Sequence, residues 1–120
     1  MSARDALAAA ASSVDGVTCT SFYRQITRPG DACVRLGEIT ADQSGLSASR
    51  TWQIWVALSE DTQSAERWIE THHAALKAAL DDEWRFSRAT PSQLVQGSTR
   101  TQTLTVNGII YEGTRGDDDD

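Results

Sequence analysis

The chain has 120 residues, 39% of them hydrophobic and 23% charged, with a formal net charge of −6. That length holds one domain with one modest core, and the composition is polar for a globular domain yet clear of the disordered class. The acidic balance argues against a protein that holds duplex DNA by neutralising phosphates, and no window is apolar for long enough to span a membrane.

Residues 3–14 are rich in alanine, and Ala6, Leu7, Ala10, Ala11 and Val14 form one helical stripe. Ser2 is the expected cap and Asp15-Gly16 the stop. Asp5 precedes the short apolar run, so we expect no signal peptide. Residues 17–26 are rich in β-branched and aromatic side chains and predict a strand. Pro29-Gly30 predicts a tight turn: proline presets φ, and glycine is free to take positive φ. Residues 32–39 would return as a second strand, with Cys33 opposite Ile26, Cys19 opposite Thr40, and Arg24 opposite Arg35. Two like charges in register call for a shifted pairing or a carboxylate between them. The two cysteines, held apart by this register, are expected to be reduced strand residues of a cytoplasmic protein, too few for a disulfide framework or a zinc cluster. The hairpin has apolar residues on both faces, which suits a ribbon contacted from both sides or an irregular, bulged hairpin.

Residues 40–50 are small, polar and without period, a long loop built around Asp42, Gln43, Ser44, Gly45 and Leu46. The most informative stretch follows. Trp52, Ile54, Val56 and Leu58 alternate with other residues, the signature of a half-buried strand. Ser59, Glu60, Asp61 and Thr62 then open a helix with Ala65, Ile69, His72, Leu76 and either Ala79 or Leu80 on one face. Such a helix folds back on its own sheet to bury both stripes. Asp81, Asp82 and Glu83 close the helix at its negative end, where arginines of the next strand would answer them. That strand begins at Trp84 and is expected to break at Pro91. A last strand alternates Thr99, Thr101, Thr103 and Thr105 with Leu104 and Val106, up to a turn or bulge at Asn107-Gly108. The predicted fold is α+β, in the order α-β-β-β-α-β-β. A mostly antiparallel sheet of four to five strands carries one long helix and a short N-terminal helix. Residues 1–116 form the domain, and Asp117 to Asp120 a solvated acidic tail.

No motif carries chemistry, so we expect no enzyme, no cofactor and no metal site. His72 and His73 are adjacent and point about 100° apart on a helix, so they do not chelate one ion as an i,i+4 pair does. Trp52, Trp68 and Trp84 read as core residues. Trp55 has the opposite parity to Trp52 and faces either a covering N-terminal helix or a partner. The residues expected at a subunit or partner interface are Phe22, Tyr23, Arg24, Arg35, Arg50, Gln53 and Trp55.

The order of a short helix, a hairpin, a polar loop, the strand TWQIWVAL, the helix DTQSAERWIETHHAALKAAL and the closing strands EWRFSRA and TRTQTLTVNGII resembles the tail terminator, or tail-to-head joining, proteins of long-tailed phages. The resemblance implies a virion structural subunit, assembled in the host cytoplasm, that forms a hexameric ring at the head-proximal end of the tail tube. Such a ring stops tube polymerisation, contacts the tube protein and the head completion protein, and lets DNA pass through its lumen without binding it. The sibling reading is a head–tail connector or completion protein. A small ligand-binding or enzymatic α+β domain is the alternative from another class.

The composition of residues 40–50 predicts a loop that orders only in the assembly. Limited proteolysis should cut it in the isolated subunit and spare it in the assembled tail; equal protection in both would refute this.

Overall fold

The computed structural model describes residues 2–41, 48–96 and 98–112. Its first element is α1 (Ala3–Ser12), capped by the Ser2 hydroxyl, which accepts a bond from the Asp5 N–H at 3.1 Å. The chain leaves α1 through Gly16, at φ +88°, and enters a three-residue strand, β1 (Thr18–Thr20). The four further strands are β2 (Asp31–Ala41), β3 (Ala48–Ala57), β4 (Arg85–Gln96) and β5 (Thr99–Glu112), with α2 (Thr62–Leu80) between β3 and β4. They form one sheet in the order β1-β2-β3-β5-β4. The fold is α+β, but the sheet is mixed: β1 runs parallel to β2, and the other three pairings are antiparallel.

The expected hairpin across Pro29-Gly30 does not form. The turn itself is present, with the Asp31 N–H donating to the Arg28 carbonyl at 2.9 Å and Gly30 at φ +94°. It turns the chain into β2 from residues 21–30, which are not a strand. Gly30 donates to the Ala57 carbonyl at 2.9 Å and accepts from the Thr18 N–H at 3.0 Å. A Cβ on Gly30 would overlap the Gly16 carbonyl oxygen, so the position needs glycine for space as well as for φ. With Thr18 held beside Gly30, β1 starts at the same end of the sheet as β2 and must run parallel to it. Cys33 therefore faces Thr20 in register, Cys19 faces Ala32, and Arg35 pairs with Gln53 instead of Arg24.

Both helices lie on one side of the sheet. Leu7, Ala11, Leu76 and Leu80 pack against Ala32, Val34, Trp52, Ile54, Val56, Leu104 and Val106, all buried. Trp84 is buried in the same cluster, while Trp68 is only half-buried and stacks on His72 with ring centroids 4.0 Å apart. α2 is capped by Asp61, which accepts from the Ser64 N–H at 2.9 Å. That N–H and the Ser64 hydroxyl hold the Asp61 carboxyl below its ordinary range. At the other end Asp81 is met by Lys77 of the same helix at 3.1 Å, not by an arginine of β4.

The two sheet edges are treated differently. Along β1, the Ser12 hydroxyl accepts from the Cys19 N–H at 2.9 Å and donates to the Cys19 carbonyl at 3.1 Å. One side chain thus occupies both backbone groups that β1 turns away from β2. The other edge is β4, which runs through Pro91 instead of ending there, because an edge strand tolerates a residue with no N–H to give. β2 and β3 are also longer than expected: Thr40 pairs with Ser49 and Ala41 with Ala48, so the connecting loop is shorter at both ends. Asp42, Gln43, Ser44, Gly45 and Leu46 lie outside the described residues.

β5 continues straight through Asn107 and Gly108, where a turn or bulge was expected. The irregularity sits opposite, between Phe86 and Arg88 of β4. A Cβ on Gly108 would overlap the six-membered ring of the Trp84 indole, so glycine is required for close approach. Gly108→Ala should therefore destabilise the fold by about 1–3 kcal/mol, the range for overpacking a core, read from the urea unfolding midpoint. An unchanged midpoint would contradict this placement of Trp84.

Candidate functional site

The side of the sheet away from the helices carries no helical layer, and the register brings its side chains into rows. Arg35, Gln53, Asn107 and Arg88 pair in sequence across four strands, and beside them run Cys33, Trp55, Thr105 and Thr90. Gln53 Nε2 donates to Asn107 Oδ1 at 3.0 Å, and its Oε1 accepts from Trp55 Nε1 at 3.1 Å. The amide pair thus fixes the indole against the sheet. The guanidinium carbon of Arg35 lies 4.6 Å from the Trp55 ring centre and 5.0 Å from that of Tyr23. Tyr23 meets Trp55 edge-on, with ring centres 6.2 Å apart and planes at 78°. A guanidinium set against two aromatic rings is drawn to their π-electron density.

Residues 21–30 supply the only cover that the described residues give this face. Ile26 is fully buried against Cys33 and Ala57, with Trp55 and Leu94 packed beside them. Next to the indole a cavity of about 210 Å³ opens between Trp55, Ser92, Leu94, Thr103 and Thr105. Ser92 Oγ lies 2.9 Å from both Thr103 Oγ1 and Thr105 Oγ1. Its partners are hydroxyls, with neither a histidine nor a carboxylate to accept its proton. The arrangement offers flat aromatic area, fixed amides and hydroxyls, which are the means of packing and hydrogen bonding against another surface.

Four of the seven residues expected at an interface come together here: Tyr23, Arg35, Gln53 and Trp55. Phe22 and Arg50 lie elsewhere, and Arg24 sits at the margin of the same face, near Cys33. Phe22 is 67% exposed and turns to the helical side, where Arg4 stacks over it at 4.2 Å and reaches Trp52 at 5.2 Å. Arg24 is paired with Asp31 at 3.8 Å. Arg50 pairs in register with Ile39 and Ile110, on the parity of Trp52, facing away from the cluster. Sequence reasoning left Trp55 between a helix and a partner; α1 is not the cover, since it packs on the opposite face. It also missed Asn107, Arg88 and the Ser92–Thr103–Thr105 hydroxyls. The alternating threonines were the available signal for the last group. The first two emerge only once the β3–β5–β4 register is known.

The two thiols lie on opposite faces, Cys19 with the helical core and Cys33 with Ile26, although their strands are neighbours. Burial pushes the Cys19 thiol up to about 12 and raises that of Cys33 as well. Both should stay unreactive to a thiol reagent at pH 8 in the native protein and react fully in urea; rapid modification of the native protein would refute this. Compared with known proteins, the chain matches no protein-family model and none of the curated proteins.

Proposed function

We propose that the chain is a structural subunit of a phage virion, a tail terminator. In this reading six copies form a ring on the head-proximal end of the tail tube, stop its polymerisation and join tail to head, with DNA passing through the lumen. The observation that carries the proposal is the open sheet face. Tyr23 is 45% exposed there, beside a half-buried Trp55 and Arg35 that the fold holds rigidly but leaves uncovered by any helix. Arginine, tyrosine and tryptophan are the residue types enriched at interface hot spots. The exposed Leu36, Ile39 and Tyr111, at the end of the sheet furthest from α2's first turn, add apolar area to be covered by neighbours. The element order supports the same family, and the acidic net charge of −6 suits a channel that lets DNA through without holding it.

Trp55→Ala tests the interface role. It should weaken subunit association about tenfold or more while leaving the fold intact, since the indole is only half-buried. A loss of about 3–5 kcal/mol of folding stability would instead make Trp55 a core residue. The assignment itself is tested by imaging particles assembled without the protein, and by native mass measurement of the tail-bound protein. Overlong tails and a stoichiometry of six are expected. Filled heads beside tails of normal length would mark a head completion protein instead.

A further inference from the structure

We propose that, within the ring just described and resting on that reading, each subunit lays the acidic outer surface of α2 across the Arg35–Arg88 row of its neighbour's open sheet face. The subunit is electrically two-sided. On the open face, Arg35, Arg85 and Arg88 stand against two strand carboxylates of the same parity, Glu38 and Asp31, and Asp31 is already engaged by Arg24 at 3.8 Å. Among the described residues none of these three arginines has an acidic partner; Arg35 has only its two rings, and Arg85 and Arg88 are exposed. On the far side of the same sheet, α2 presents Glu66 and Glu70 to solvent, followed by Asp82 and Glu83 beyond its end. Glu66 and Glu70 have no basic partner among the described residues, and Arg67 and Lys77 are the bases of that surface, Lys77 being already engaged by Asp81.

The two surfaces also match in shape and scale. Three strand spacings separate Arg35 from Arg88, roughly 14 Å, and α2 from Glu66 to Leu80 is roughly 21 Å long, enough to cross them. Exposed Ala74 and Ala78 lie between the acids, so the helix can approach a flat sheet closely. Because α2 and the arginine row are on opposite sides of one sheet, a contact between them uses two different patches. It cannot be two-fold, and it repeats head to tail, as a contact within a closed ring must. The occupant of the open face is therefore a second copy of this chain.

The experiment pairs two sets of charge reversals in the full chain, Arg85→Glu with Arg88→Glu and Glu66→Lys with Glu70→Lys, all at exposed positions. Arg35→Glu with Arg88→Glu is a third variant; the first set leaves the Tyr23–Arg35–Trp55 stack untouched and so reports on charge alone. Native mass spectrometry at rising concentration, and on tail particles, reads the assembly. Each variant alone should need about tenfold or more protein to assemble, and wild-type assembly should weaken as salt rises to about 0.5 M. A one-to-one mixture of the two sets should recover assembly with equal numbers of each, because an alternating ring restores opposite charges at every contact. Variants that assemble like the wild type would overturn this contact and leave the ring standing, as would a mixture that fails to recover. A wild-type chain that stays monomeric in solution and on tails would overturn the ring, and this contact with it. Salt-sensitive retention of duplex DNA by the wild type, lost in Arg85→Glu with Arg88→Glu, would assign the face to nucleic acid and likewise overturn the proposal.

Discussion

The structure depends on the backbone of Gly30. Its N–H is held by the end of β3, its carbonyl by the start of β1, and its Cα lies against the peptide that leaves α1. Three elements meet where there is no room for a methyl group. That junction decides that β1 is parallel to β2 and that α1 packs with α2. It also decides that the segment from Tyr23 to Ile26 is laid across the opposite side of the sheet, which places Ile26 on Cys33 and Tyr23 on Trp55. The candidate interface is a consequence of a backbone knot that none of the interface side chains takes part in.

The parts of this fold that were legible in the amino-acid order are those set by local periodicity. Trp52, Ile54 and Val56 alternate into the core, α2 buries its Ala65–Leu76–Leu80 stripe, and the caps at Ser2 and Asp61 lie where their side chains suggested. What was not legible needed partners distant in the chain. β-branched and aromatic residues at 17–26 carry strand propensity, yet only Thr18–Thr20 takes that form, and residues 22–25 are exposed. The Pro29-Gly30 turn was recognisable, but what it turned against was not, since its anchor is Ala57. Asn107-Gly108 carried the composition of a turn for an unrelated reason, the indole of Trp84. The same distinction holds for the site. The parity of Gln53 and Trp55 was readable along one strand, whereas Asn107 and Arg88 join them only through register.

The open face is held in place without being closed. A row of amides and guanidinium groups spans strands whose other surface carries the apolar core under the helices, so the sheet has one side largely buried and one side open to water. Ring faces under Arg35 restrict its motion before any contact is made, which lowers the entropy lost on association. Threonine and serine hydroxyls bond one another at Ser92, Thr103 and Thr105, so these groups keep partners when water is removed from them.

The single hydroxyl of Ser12 has a consequence for how copies of this chain are able to meet. By occupying both outward backbone groups of Cys19 it leaves β1 with nothing to offer another strand, and Pro91 interrupts the donor row on β4. Strand-to-strand addition is the route by which sheet proteins made in quantity form fibres. A chain blunted at both margins offers a neighbouring copy little free backbone to pair with. Ser12 is in that sense a guard on the margin of the sheet: one hydroxyl stands where the backbone of a foreign strand would otherwise bond.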